Sequence, residues 1–136
     1  SASNTVLLMS HDRETVTAAD GPKAAGPYSH AVKAAGLVFL SGQVHLDPQT
    51  NELIQGSPGE KARRCLDNLK IVAEAAGASL DQAVRIAVYC VDISQFKEMN
   101  EAYATFFESD PPARTTIGVA ALPMGAEVEM DAIIAL

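Results

Sequence analysis

Basic and aromatic residues are scarce in this chain, and their scarcity argues against nucleic-acid binding. Among 136 residues there are 10 Lys and Arg against 17 Asp and Glu, and aromatic residues make up 5%. Proteins that hold a phosphate backbone use clustered Lys and Arg, so a net charge of −7 disfavours that class of partner. The densest basic stretch, residues 61–64, lies beside Glu60 and Asp67, which favours a solvated helix face.

Cysteines and long apolar runs are also few. Cys65 and Cys90 form neither a Cys-x-x-Cys pair nor a metal-type spacing, and both lie in apolar patterns typical of reduced core thiols. No segment reaches the roughly 20 apolar residues that cross a bilayer, and the apolar run at 6–9 is too short for a signal sequence. We therefore expect no membrane association and a cytoplasmic location, with an organelle such as the mitochondrion left open if a targeting segment has been cleaved.

Several motifs that carry chemistry are missing. No Gly-x-Gly-x-x-Gly, P-loop or EF-hand pattern occurs, so nucleotide and Ca²⁺ chemistry have no support. Ser41 lacks the Gly-x-Ser-x-Gly context of a nucleophile elbow. His11, His30 and His45 are not spaced as metal ligands, so no metal site is predicted.

A single domain is predicted at 15–136, after a weakly patterned N-terminal tail at 1–14. Hydrophobic residues make up 48% of the chain, and no repeat, linker or low-complexity tract divides it. The expected elements are a hairpin at 30–40, a helix from the cap Ser57 to Gly77, a strand at 84–91, a helix from near Ser94, and a closing hairpin of 114–121 with 127–136. This order predicts an α+β fold with two helices packed on one face of a sheet.

The last strand predicts an unusual second face for that sheet. Apolar residues alternate with Glu127, Glu129 and Asp131, so the carboxylates share the face opposite the core. Two helices can cover only one face of the sheet. The other face is either solvated or packed against another subunit, and we favour the oligomer.

Arg114 is the first candidate for a functional side chain. It follows Pro111-Pro112-Ala113 at the mouth of a strand, and its planar guanidinium matches a carboxylate in bidentate fashion. The alternative is a surface salt bridge to Glu108 or Asp110, which the residues alone favour.

Glu129 is the second candidate, because glutamate is a poor strand former inside an apolar alternation. It could activate a water molecule by acid–base chemistry, or simply belong to a solvated acidic face. In the predicted closing hairpin it lies opposite Gly118, about 13 Å along the strand from Arg114. We therefore expect no direct ion pair, but two ends of one small ligand or a meeting across a subunit boundary.

An ordered set of short motifs runs from about Thr15 to Leu136. Its members are Gly26-Pro27-Tyr28-Ser29-His30-Ala31-Val32, Leu40-Ser41-Gly42-Gln43, Leu66-Asp67-Asn68-Leu69, Asn100-Glu101-Ala102-Tyr103, Pro112-Ala113-Arg114-Thr115-Thr116 and Val128-Glu129-Met130. Each motif alone is weak, but the set in this order resembles the RidA (reactive intermediate deaminase) family. The resemblance implies a chorismate-mutase-like α+β fold, a homotrimer with active sites between subunits, and no cofactor.

The resemblance also implies an activity, the hydrolysis of reactive enamines and imines such as 2-aminoacrylate and 2-iminopropanoate to 2-oxo acids and ammonia. Arg114 would then clamp the substrate carboxylate, and Glu129 would hold and activate the attacking water. Tyr28 and Asn100 would line the pocket, with the Ser41-Gly42 backbone near the imine nitrogen. Thr116 stands where many members have Cys or Ser, and His30 stands in place of the usual Gln.

Two other functions stay open at this point. Members of the family have been described as endoribonucleases or translation inhibitors, although the acidic charge balance argues against strong RNA binding here. A non-catalytic module that binds small carboxylates would use Arg114 but would not need Glu129.

Overall fold

The first long helix begins at a capping box. The computed structural model describes residues 12–136, and in it the Ser57 hydroxyl accepts from the Glu60 N–H at 3.2 Å while the Glu60 carboxylate accepts from the Ser57 N–H at 3.1 Å. Pro58 occupies the first helical position, where its missing N–H costs nothing. The helix stops before Gly77, whose φ of 77° is one that glycine adopts without strain. The sequence prediction for this helix is confirmed.

Six strands and two helices make up the described fold. In chain order they are β1 (Glu14–Val16), β2 (Ala31–Ala34), β3 (Leu37–Val44), α1 (Pro58–Ala75), β4 (Ala83–Cys90), α2 (Phe96–Ala104), β5 (Ala113–Gly118) and β6 (Val128–Ala135). Short 3₁₀ turns precede β4 and α2 and lie between β5 and β6. Within residues 12–136 no helix has the length and apolar character needed to cross a membrane.

The strands form one mixed sheet in the order β1-β2-β3-β6-β4-β5. The predicted closing hairpin is wrong, because β5 runs parallel to β4, and β6 lies between β3 and β4, antiparallel to both. Burial explains this placement. The inward residues of β6 are at most 2% exposed, which suits an interior strand, whereas most of β5 is exposed, as expected at an edge.

Both helices pack on one face of the sheet, and the α+β prediction is confirmed. The core there joins the apolar stripe of α1, the buried side of α2 and the inward residues of the strands. The opposite face carries Glu129, Asp131 and Ile133 from β6, as the alternation predicted. Phe39 and Ile117 are also exposed on this open face, at 42% and 44%.

Smaller predictions had mixed outcomes. Cys65 and Cys90 are free, buried thiols, as expected. The basic stretch is not wholly a solvated face, because Lys61 is only 9% exposed and pairs with Glu127.

Strand β1 was not predicted, since three residues are too few to show an alternation of apolar and polar side chains. The predicted tail at 1–14 lies largely outside the described residues and stays a prediction, although β1 already begins at Glu14.

Candidate functional site

The predicted site residues fall into two groups that the sheet separates. Tyr28, Ser41, Gly42 and Glu129 line one pocket of about 340 Å³ on the open face, here called the Glu129 pocket. Arg114, Asn100 and Thr116 lie on the helix side of the sheet, here called the Arg114 cluster. The sequence proposed all seven residues and separated Arg114 from Glu129, but it did not predict that the sheet lies between the two groups.

A β-bulge shapes the floor of the Glu129 pocket. Leu40 pairs with Ala132 and Gln43 with Met130, so β3 carries one more residue than β6 between these pairs. The extra residue falls at Ser41-Gly42. Bulges of this kind bend a strand and redirect its side chains, and they are common next to active sites.

The bulge is tied to the segment that precedes β2. The Ser41 N–H donates to the His30 carbonyl at 3.0 Å, and the Ser41 hydroxyl donates to the Ser29 carbonyl at 2.6 Å. The Ser41 side chain therefore holds two chain segments together. The role of the Ser41-Gly42 backbone toward a ligand stays a prediction.

Gly42 is required for close approach rather than for its backbone angle. A Cβ at this position would overlap Oε2 of Glu129 and lie 2.9 Å from its Cδ. The Glu129 carboxylate thus rests directly against the bulge backbone. Any side chain at position 42 would push that carboxylate out of the pocket.

Glu129 is half-buried, and its surroundings favour its neutral form. Burial raises the pKa of its carboxyl above the ordinary glutamate value, and the nearby Asp131 raises it further. Asp131 itself accepts a hydrogen bond from the Tyr89 hydroxyl at 2.9 Å. A carboxylate with a raised pKa is a stronger base than an exposed one, which suits the activation of water.

Two further side chains shape this pocket. The Tyr28 ring is 47% exposed at its wall, and its hydroxyl accepts from the Ala25 N–H at 3.1 Å. His30 also lines the pocket, and its Nδ1 accepts from the Ala18 N–H at 2.8 Å. In a neutral ring the proton is then on Nε2, which is buried without a hydrogen-bonding partner among residues 12–136. Neither its departure from the family motif nor the spacing of the histidines predicted that His30 lines the pocket.

The guanidinium of Arg114 lies against helix α2. Its Nη1 donates to Oδ1 of Asn100 at 2.8 Å, and its central carbon lies 5.1 Å from the Phe96 ring and 4.6 Å from the Tyr103 ring. Within residues 12–136 it forms no salt bridge with an acidic residue. The alternative interpretation, a surface pair with Glu108 or Asp110, is therefore wrong for the described part of the chain.

Thr116 lies two residues beyond Arg114 on β5, on the same side of the strand, opposite Val88. Its hydroxyl oxygen is buried and has no partner within the described ranges. A polar atom in that state can bond a group that enters the cluster.

Arg114 and Glu129 do not meet within one chain. Arg114 aligns with Ile86 of β4, and Glu129 aligns with Tyr89, three residues further along. Two strand spacings, about 10 Å, separate them across the sheet, and their side chains lie on opposite faces. The expected absence of a direct ion pair is correct for these two residues, although the hairpin register from which it was argued is wrong.

The remaining histidine in the described region has a structural role. His45 is 2% exposed; its Nε2 accepts from the Glu127 N–H at 3.0 Å, and its Nδ1 is 3.1 Å from the Ile54 carbonyl. Nε2 thus joins the end of β3 to the start of β6, and Nδ1 joins it to the segment at Ile54. Across residues 12–136, no group of three or more His, Cys, Asp or Glu side chains is placed to hold a metal ion.

Known proteins resemble this chain over nearly its whole length. A family model described as Endoribonuclease L-PSP matches residues 18–136. The chain is 38% identical to the chloroplastic Reactive Intermediate Deaminase A of Arabidopsis thaliana, covering 99% of this chain and 72% of that protein. The crystal structure of RidA from an Antarctic Psychrobacter species has a TM-score of 0.86 at 38% identity, covering 90% of this chain and 99% of that one. Escherichia coli TdcF, solved with bound serine, has a TM-score of 0.85 at 32% identity, covering 90% and 98%.

Proposed function

The chain belongs to the Endoribonuclease L-PSP family, which is the YjgF/RidA family, and from that premise we propose that it hydrolyses reactive imines. The proposed substrates are 2-imino acids such as 2-iminopropanoate, formed from 2-aminoacrylate, and the products are a 2-oxo acid and ammonia. Two relatives support this choice: one is named a reactive intermediate deaminase, and TdcF binds serine, a small molecule with a free carboxylate.

The main support for the proposal is that the Arg114 guanidinium is held in place without an acidic partner among residues 12–136. The guanidinium is exposed and is held by Asn100. A positioned cation without a counter-ion suits the carboxylate of a small substrate, which it can bind through two parallel hydrogen bonds.

Glu129 supplies the second function that the reaction needs. In hydrolysis, a water oxygen bonds to the imine carbon, the C=N electron pair moves to nitrogen, and one water proton passes through the Glu129 carboxylate to that nitrogen, which gives a carbinolamine. The hydroxyl proton of the carbinolamine then passes to nitrogen as C=O forms and the C–N bond breaks, so that the nitrogen leaves as ammonia. Because burial raises the pKa of this carboxyl, it accepts the proton more readily than an exposed glutamate would. Tyr28 and the Ser41-Gly42 backbone would enclose the imine, with Thr116 beside the carboxylate.

Each complete site would combine the Glu129 pocket of one chain with the Arg114 cluster of another. The open face exposes apolar residues beside the Glu129 pocket, and Arg114 lies on the edge strand β5. A homotrimer in which the open face of one subunit contacts the β5 edge of the next would bring Arg114 of one subunit to Glu129 of the other. The cytoplasmic location stays part of the proposal, as does the absence of a cofactor.

A coupled assay tests the function. A pyridoxal-phosphate dehydratase generates 2-aminoacrylate from serine, and the loss of imine that semicarbazide can trap is followed with and without this protein. We expect faster loss with the wild-type protein and no acceleration with Arg114→Ala. A wild-type protein that assembles correctly but gives no acceleration would contradict the proposal.

Two outcomes would identify the alternatives. Binding of 2-oxo acids without catalysis, unchanged in Glu129→Gln, would identify a carboxylate-binding module. RNA cleavage that survives both Arg114→Ala and ribonuclease-free purification would identify an endoribonuclease, against the net charge of −7.

A further inference from the structure

Three side chains of α2 surround the guanidinium of Arg114. Phe96, Asn100 and Tyr103 recur at steps of four and three residues, so they lie on one face of the helix. The two rings lie within cation–π distance of the guanidinium carbon, at 5.1 and 4.6 Å, and the amide oxygen of Asn100 accepts from Nη1. We call these three residues the α2 cradle.

The hydrogen bond to Asn100 selects one edge of the guanidinium. Nη1 is the nitrogen on the Cδ side, so its bond leaves the opposite edge, formed by Nε and Nη2, without a partner among residues 12–136. That edge presents two parallel N–H groups, the arrangement that matches a carboxylate. The rings fix the orientation of the planar group, which a single hydrogen bond cannot do.

The cradle is itself anchored in the core. Tyr103 is 7% exposed, and its ring packs against Phe107 at 4.8 Å between centroids. Its hydroxyl has no partner within the described part of the chain, so Tyr103 contacts the Arg114 guanidinium through its ring and not through its oxygen. Phe96 is only partly buried and packs against the same core.

We propose that Phe96, Asn100 and Tyr103 are positioning residues that act through Arg114. They hold its Nε–Nη2 edge toward the substrate carboxylate, so Asn100 serves the site by orienting the arginine rather than by contacting the imine. The inference rests on the proposed function, because it concerns how that site binds its substrate.

Asn100→Asp gives the sharpest test. A carboxylate in place of the amide, 2.8 Å from Nη1, would form an ion pair with Arg114 and compete with the substrate carboxylate. We expect KM for 2-iminopropanoate, and Kd for the probe 2-oxobutanoate, to rise about tenfold or more with little change in kcat. An unchanged KM and Kd would overturn the role given to Asn100.

Phe96→Leu tests the aromatic contact, and Phe106→Leu is its matched control. Phe106 is partly buried against the same core as Phe96, but it is not one of the rings over Arg114. Loss of the Phe96 ring is expected to raise KM and Kd roughly two- to fivefold, with recovery in Phe96→Tyr, while Phe106→Leu lowers Tm without that rise. Equal effects of the two leucine variants on KM would overturn the cradle.

Different results would contradict the proposed function and the role of the α2 cradle. If the wild-type protein neither accelerates imine loss nor binds 2-oxobutanoate, the proposed function is wrong. If the wild-type protein does both, while Asn100→Asp and Phe96→Leu match it in KM and Kd, only the cradle is wrong.

Discussion

Arg114 and Glu129 lie on opposite faces of one sheet, two strands apart, and the residues of β4 with which they pair are three positions apart. A small ligand cannot touch both side chains of the same chain. If one reaction uses the Arg114 cation to hold a carboxylate and the Glu129 carboxylate to activate water, the site has to be assembled from two chains.

Arg114→Ala is expected to lower kcat/KM by about 10²- to 10³-fold, because the bidentate bond to the carboxylate is lost. Arg114→Lys should recover only part of the activity, since an ammonium lacks the planar fork. Steady-state kinetics measure both effects. Arg63→Ala is the matched control: Arg63 is also exposed, lies on α1 away from the open face, and donates to the Thr105 hydroxyl at 3.4 Å, so its loss should leave kcat/KM near the wild-type value.

Glu129→Gln is expected to lower kcat by about 10²- to 10⁴-fold with a small effect on KM, the pattern of a lost general base. In the wild-type protein, kcat/KM should fall on the acid side as Glu129 becomes protonated. Because burial raises the pKa of this carboxyl, that limb should lie above the ordinary glutamate range. A limb that persists unchanged in Glu129→Gln would assign the titration to another group.

Gly42→Ala should remove activity by displacing the Glu129 carboxylate. The new Cβ overlaps the carboxylate, which ends a flexible side chain, so we expect the glutamate to leave its place in the pocket with little loss of stability. Gly118→Ala is the control, since its Cβ would meet atoms only at 3.7 and 3.8 Å. Kinetics and thermal melting are measured on both variants. Normal kcat in Gly42→Ala would mean that Glu129 does not act from its present position.

His45 should make the fold sensitive to mild acid. Burial lowers the pKa of its ring, so the unfolded chain takes up a proton that the folded chain resists, and stability is lost as pH falls through the ordinary histidine value of about 6.5. Protonation would also break the bond that Nε2 accepts from the Glu127 N–H. Melting curves should show Tm falling between about pH 7.5 and 5.5, and falling less in His45→Gln. Equal slopes would show that another group is responsible.

The sequence was most informative where local chemistry decides structure. The Ser57–Glu60 capping box and the apolar stripe that follows it predicted α1, and the alternation in β6 predicted which of its residues face the core. Arg114 and Glu129 were proposed from residue type and position. The other site residues came from the resemblance to a known family.

Long-range pairing could not be predicted in the same way. Adjacent strands at the end of a chain suggest a hairpin, but β6 pairs instead with β3 and β4, because its buried residues require neighbours on both edges. The extra residue at Ser41-Gly42 has no sequence signal, since a bulge is defined by the register of two strands. The rings of Phe96 and Tyr103 appeared only as part of an apolar helix face, with nothing to indicate the arginine that lies over them.

Subunit exchange between two inactive variants shows whether Arg114 and Glu129 of neighbouring chains form one site. Arg114→Ala and Glu129→Gln chains are purified separately, then unfolded and refolded together so that subunits exchange. If each site takes Arg114 from one chain and Glu129 from the next, about one site in four in a random equal mixture contains both intact residues. We expect imine hydrolysis to return to roughly that fraction of the activity of refolded wild-type protein, while each variant refolded alone stays inactive. A mixture that exchanges subunits but stays as inactive as its components would contradict a site built from Arg114 and Glu129 of neighbouring chains.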